Sequence, residues 1–153
     1  MYPWQHLIAG VILASFLFLV APQIGFISVA IIILASVLID VDHYVYHFYK
    51  EKNFNLKKAY TYFVDYGKKI KKLPRQKRNK TFIGIFLLHG FEIMFLLLLA
   101  TIFVSKYFLF VLLAFNLHLL LDMIETKRYL DRPIKLFLIK DIIDSRKLER
   151  LEN

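Results

Sequence analysis

Apolar residues dominate four stretches of the chain, residues 7–21, 24–39, 82–104 and 107–121, and polar residues crowd between and after them. Only the third stretch clearly reaches the roughly 20 residues that an α-helix needs to cross the hydrocarbon core of a bilayer. The other three hold 15 or 16 residues and need their flanks, such as Trp4 and the segment after Asp40. The pattern predicts an all-α protein: a four-helix transmembrane bundle with helices at about 4–22, 24–48, 81–104 and 107–125, forming a single integral membrane domain over residues 1–153. A buried soluble helical bundle is the competing expectation, because three of the runs are short. Helices one and two are expected to form a tight hairpin through Ala21, Pro22 and Gln23, and helices three and four to join by a short turn near Ser105 and Lys106.

The polar segments have patterns of their own. Residues 50–80 form a basic insert, in which FNLKKAYTYFVDYG interleaves Phe54, Tyr60, Tyr62, Phe63 and Tyr66 with lysines. This predicts a helix lying in the membrane interface, where aromatic rings favour the headgroup level. KKIKKLPRQKRNK follows, with Lys68, Lys69, Lys71, Lys72, Arg75, Lys77, Arg78 and Lys80 and no acidic residue. Such a cluster beside a membrane helix is expected to contact anionic lipid headgroups, or to act only as a topology signal. Nucleic acid is disfavoured as a partner, because no recognition motif accompanies the basic run. In the tail, residues 126–153, Ile134, Leu136, Phe137, Leu138, Ile142 and Ile143 alternate with charges and predict an amphipathic C-terminal helix.

Composition supports the membrane reading: 58% of residues are hydrophobic and the mean hydropathy is +0.53, outside the range of ordinary soluble domains. The absence of cysteine excludes disulfides and thiolate metal ligands. The first ten residues lack a positive n-region and a small-residue cleavage site, so the first helix is expected to be retained. Of 21 Lys and Arg, 12 lie between Asp40 and Thr81 and 8 from Asp122 onward, with Lys106 the remaining one. With four spans, the positive-inside rule predicts a multi-pass protein of the cytoplasmic (inner) membrane with both termini cytoplasmic.

The five histidines, His6, His43, His47, His89 and His118, all avoid the basic insert and the tail. In the four-span arrangement all five would gather at one end of the bundle. Carboxylates accompany them. On a continuous second helix, Asp40, His43 and His47 stand at i, i+3 and i+7, on one face, whereas Asp42 points elsewhere. His89 and Glu92 form an i, i+3 pair on helix three, and His118, Asp122 and Glu125 stand at i, i+4 and i+7 on helix four. Inward His and carboxylate residues on facing helices are how helical bundles cage metal ions. Glu92, some ten residues into helix three, would have to be protonated, paired or metal-bound. Imidazole and carboxylate ligands without thiolates suit zinc first, then manganese or iron, with room for one ion or two.

An N-terminal His6 ahead of an apolar helix, I-D-V-D-H at residues 39–43, L-H-G-F-E at residues 88–92 and H-L-L-L-D at residues 118–122 follow one another in this order. In these motifs the chain resembles the membrane-bound, metal-dependent hydrolase family of bacteria and archaea that includes the inner-membrane proteins named for LexA-linked regulation. The resemblance covers residues 1–47 and 80–125 and leaves out the basic insert. It implies a metal role for His6, Asp40, Asp42, His43, His89, His118 and Asp122, with Glu92 close by; the helical spacing alone adds His47 and Glu125 as further candidates. The chain departs from the commoner family pattern at Leu38–Ile39, where proline or glycine is usual, and at Leu88–His89–Gly90, where T-H-S is usual.

Three functions compete at this level. The first is a metal-dependent hydrolase acting on a phosphoester or lipid-phase substrate, with Glu92 or Asp42 as general base. The second is a divalent-cation or proton transport protein. It lacks a polar path through the outer half of the bundle, where Val20, Val29, Leu98 and Leu109 lie, unless a homo-oligomer builds one. The third is a non-catalytic membrane scaffold with a structural metal site.

Overall fold

The computed structural model describes residues 2–131 and 136–148. Among them every regular element is helical: α1 (Pro3–Val20), α2 (Gly25–Leu38), α3 (Val41–Glu51), α4 (Leu56–Lys72), α5 (Arg75–Lys80), α6 (Phe91–Phe103), α7 (Tyr107–Lys127) and α8 (Leu138–Lys147). Three stretches are long and apolar enough to cross a membrane: Pro3–Val20, Pro22–Glu51 and Tyr107–Lys127, with mean hydropathies of 1.7, 2.7 and 2.0. The chain falls into two compact units that alternate along the sequence, Met1–Asp40 with Phe91–Asp122, and Val41–Gly90 with Met123–Asn153.

The first unit is inside-out by the standards of a soluble domain. Its core is built from Ala14, Ile32, Ala35 and Ala114, while Ile12 is 64% exposed, Phe26 78% and Leu19 80%. Small residues inside and large aliphatic ones outside suit a lipid solvent, where close helix contact supplies the packing energy. On α1 the buried stripe is His6, Gly10 and Ala14, at intervals of four. A Cβ added at Gly10 would fall on Oγ and Cβ of Ser36 in α2, so this position needs glycine for α1 and α2 to approach. Gly10→Val is therefore expected to lower unfolding stability in detergent by about 1–3 kcal/mol, the usual cost of overpacking. Ile12→Val, on the exposed side of the same helix, should leave it unchanged. The hairpin between α1 and α2 is a single 3₁₀ turn, Pro22–Ile24, closed by Gly25 at φ 72°.

Two helix boundaries differ from the expectation. Helix two breaks at Ile39–Asp40, where the Asp40 N–H turns back to the Val37 carbonyl at 3.1 Å. Helix three starts at Phe91, ten residues later than hydropathy suggests. Residues 81–90 are irregular. Thr81, Ile83 and Ile85 disfavour helix through their β-branched side chains, and Gly84 costs about 1 kcal/mol in a helix interior. A Cβ at Gly84 would lie 2.7 Å from the Phe86 ring, which folds back over this position. At 13 residues, α6 is about 20 Å long.

In the second unit α3 packs against α4 through aromatic contacts such as Tyr46 on Phe63, ring centroids 6.2 Å apart, while Phe48 stacks at 3.8 Å on Phe54 in the connecting loop. Asn55 caps α4 by accepting the Lys58 N–H at 3.1 Å, and Pro74 ends it by holding Leu73 extended, ψ 147°. The Tyr66 hydroxyl donates to the Phe82 carbonyl at 2.6 Å; burial pushes its pKa up, so it stays a donor. Asp131 accepts from Arg75, and Asn79 both donates to the Asp131 carboxylate (2.7 Å) and accepts the Asp131 N–H (3.0 Å). The hydrogen bonds from Arg75 hold the Asp131 carboxyl below its usual range. The amphipathic tail is helical at Leu138–Lys147; Ile134 of that expectation lies outside the described residues.

Candidate metal centre

The first unit gathers His6 from α1, and His118 and Asp122, one turn apart on α7, with all three side chains buried. The His6 and His118 rings stack, centroids 3.7 Å apart at 13°. His118 Nδ1 lies 2.9 Å from the Ser36 carbonyl. That carbonyl stands in the last turn of α2, where intrahelical donors run out. A carbonyl only accepts, so Nδ1 carries the hydrogen, and in the neutral imidazole Nε2 presents its lone pair. This Nε2 stands 3.5 Å from Asp40 Oδ1 and 3.9 Å from Asp122 Oδ2. His6 Nε2 stands 3.4 Å from Asp122 Oδ1, and neither His6 nitrogen has a hydrogen-bond partner.

These separations exceed ordinary hydrogen bonds, which lie at about 2.7–3.2 Å. They match donors arranged around an ion: ligands about 2.0–2.1 Å from a tetrahedral zinc are roughly 3.4 Å from one another. Imidazole nitrogens and carboxylate oxygens facing one another in a buried site suit a cation among them. The residues present therefore fit a divalent metal, with His6, His118 and Asp122 as ligands and Asp40 beside them.

The second unit holds a different constellation. Asp42, 5% exposed, places Oδ1 2.8 Å from His43 Nδ1 and Oδ2 2.8 Å from His89 Nδ1. The Leu88 N–H donates to the same Oδ2 at 3.0 Å. An ionised carboxylate only accepts, so both imidazoles carry a hydrogen on Nδ1, which in the neutral ring puts the lone pair on Nε2. A carboxylate behind a histidine is the usual outer partner of a metal-bound imidazole. Phe86 stacks on His43 at 4.2 Å, and Phe63 meets it edge-on at 5.0 Å. His89 is fully buried.

The other expected residues are placed as follows. Asp42 neighbours His43 in sequence yet reaches its ring, and both of its oxygens are occupied by donors, a geometry that suits orienting histidines rather than ligating. Glu92 is half-buried in the first turn of α6, where the helix dipole favours a carboxylate, and not deep within a helix. His47 is buried on α3, edge-on to Tyr62 at 5.3 Å, with no hydrogen-bond partner at Nδ1. Glu125 accepts from Lys71 at 3.1 Å.

The basic run is similarly divided. Lys68 pairs with Asp65, Lys71 with Glu125, and Arg75 with Asp131; Lys69, Lys72, Lys77 and Lys80 are exposed and Arg78 half-buried. The Ser36 carbonyl and the Leu88 N–H, which orient the site, lie outside the expected set. Backbone groups carry no residue-type signal, though a serine inside the apolar run 24–39 is a visible irregularity.

Comparison with protein-family models, curated proteins and solved structures finds no match.

Proposed function

We propose that the chain is an integral-membrane, metal-dependent hydrolase acting on a phosphoester or lipid-phase substrate at the cytoplasmic face. The observation that carries this reading is the buried group of His6, His118 and Asp122, whose ligand atoms lie within 4.8 Å of one another and whose His118 Nδ1 hydrogen is committed to the Ser36 carbonyl. A divalent ion, zinc by the chemistry of the donors, supplies Lewis acidity and a water nucleophile near neutral pH when bound. His6, His118 and Asp122 would hold it. Asp40 Oδ1, 3.5 Å from His118 Nε2, would be placed to take a proton from a water nucleophile, and Asp42 orients the rings of His43 and His89.

The proposal has four crossings of the inner membrane with both termini cytoplasmic. Residues 82–90 complete the short α6 crossing; irregular backbone is tolerated at membrane depth where protein covers it, and Phe82 and Phe86 are buried. The test is hydrolysis by the detergent-purified protein of bis-(p-nitrophenyl) phosphate and of phosphatidic acid in mixed micelles. Chelation is expected to cut turnover by roughly 100-fold or more, and zinc to restore it. Turnover indifferent to chelation, or none with zinc, manganese or iron supplied, contradicts the proposal.

A further inference from the structure

A cleft of about 480 Å³ runs along one side of α4, within the range of small-molecule sites, about 300–1,000 Å³. Lys57, Lys58 and Lys69 line it together with Tyr62 and Tyr66. These residues recur at successive turns, so one helix side carries cations toward both ends and two rings between them. The rings are nearly parallel, at 9°, with centroids 5.9 Å apart. Asp65 also lines the cleft, and its charge is met by Lys68 at 3.2 Å. On α3, Lys50 donates to the Tyr62 hydroxyl at 2.7 Å, adding positive charge there.

The cleft also adjoins the histidine constellation of the same unit. Tyr62 meets Phe63 edge-on at 5.1 Å, and Phe63 meets His43 edge-on at 5.0 Å. In contrast, Lys71 and Arg75 of the basic run are committed to Glu125 and Asp131.

We propose that this cleft binds the phosphate-bearing headgroup of an amphiphile. The lysines attract the phosphate, and Tyr62 and Tyr66 contact the organic portion next to it. Aromatic rings with a polar tip suit that boundary between wet and apolar surroundings. Binding needs no turnover, so it stands apart from the hydrolase reading.

The test is calorimetric titration of the full chain in detergent with dihexanoyl phosphatidic acid, dihexanoyl phosphatidylcholine and inorganic phosphate. Phosphatidic acid is expected to bind at least about tenfold more tightly than either of the others. Lys57→Ala/Lys58→Ala/Lys69→Ala should weaken it by a further factor of roughly ten, as expected for loss of several cations at a headgroup site, with zinc content unchanged. Lys58→Glu alone, at an exposed position, should weaken it in the same direction if the triple variant folds poorly. Equal affinity in parent and variants, or phosphatidylcholine binding as tightly, overturns the proposal. Inorganic phosphate binding as tightly as the lipid overturns its amphiphile part. Binding without hydrolysis would leave the cleft intact and sink only the hydrolase reading.

Discussion

His118→Ala is expected to abolish the response of the protein to metal. In the parent, zinc at about a hundred times its Kd should stabilise the fold by about 2.7 kcal/mol, raising Tm by roughly 5–10 °C for a chain of this length. In the variant the rise should be under about 2 °C. His118 has two roles that alanine removes together: Nε2 faces Asp40 and Asp122, and Nδ1–H satisfies the Ser36 carbonyl at the end of α2. Without metal the variant should therefore also unfold more easily, by about 1–3 kcal/mol for a buried carbonyl left without a donor. His118→Gln separates the two, because a side-chain amide can still donate to Ser36. It should recover part of the stability in the absence of metal while the metal response stays lost. Differential scanning calorimetry in detergent, with and without zinc, reads both.

Asp42→Asn is expected to switch the tautomer of one of the two histidines that the carboxylate holds. The change is nearly isosteric, so packing is kept. However, the carboxylate accepts three hydrogens, from His43, His89 and the Leu88 N–H, whereas an amide offers one oxygen and a nitrogen that donates. One histidine must then turn its bare nitrogen toward the new amide and carry its hydrogen on the other side of the ring. Nitrogen-15 NMR of the imidazoles should show both His43 and His89 as Nδ1–H tautomers in the parent and one of them switched in the variant. Unchanged tautomers would show that Asp42 does not orient these rings.

Much of the architecture was legible because hydropathy reports directly what lipid tolerates. The apolar runs became α1, α2, α6 and α7, and the aromatic–lysine stretch became α4. The third run misled, since apolarity does not distinguish helix from buried irregular backbone. Residues 81–90 are apolar, yet β-branched side chains, Gly84 and hydrogen bonds from Tyr66 and to Asp42 take them out of the helix. That shift carries Glu92 from an expected depth of ten residues to the first turn of α6, and with it goes the depth argument that its carboxylate must be protonated, paired or metal-bound.

The grouping of His6 with His118 and Asp122 was partly legible. The i, i+4 spacing places His118 and Asp122 on one face of α7, but only Gly10 against Ser36 shows how closely α1 approaches α2. Helical spacing alone turns Asp42 away from the site. Spacing describes which residues share a face and says little about a carboxylate one residue from a histidine, whose ring can swing back to meet it. The basic run looks like one electrostatic unit, yet its members divide between ion pairs with Glu125 and Asp131 and exposed positions, because partners distant in sequence cannot be read from a local charge pattern.

The central claim is that the buried imidazoles hold a divalent metal. Elemental analysis of the detergent-purified protein, after incubation with zinc, manganese and iron and removal of free ion, tests it most directly. The account predicts at least about one ion per chain in the parent, as three or four His and carboxylate ligands require, and background levels in His118→Ala. No metal above background in the parent, or the same content in His118→Ala, would contradict it.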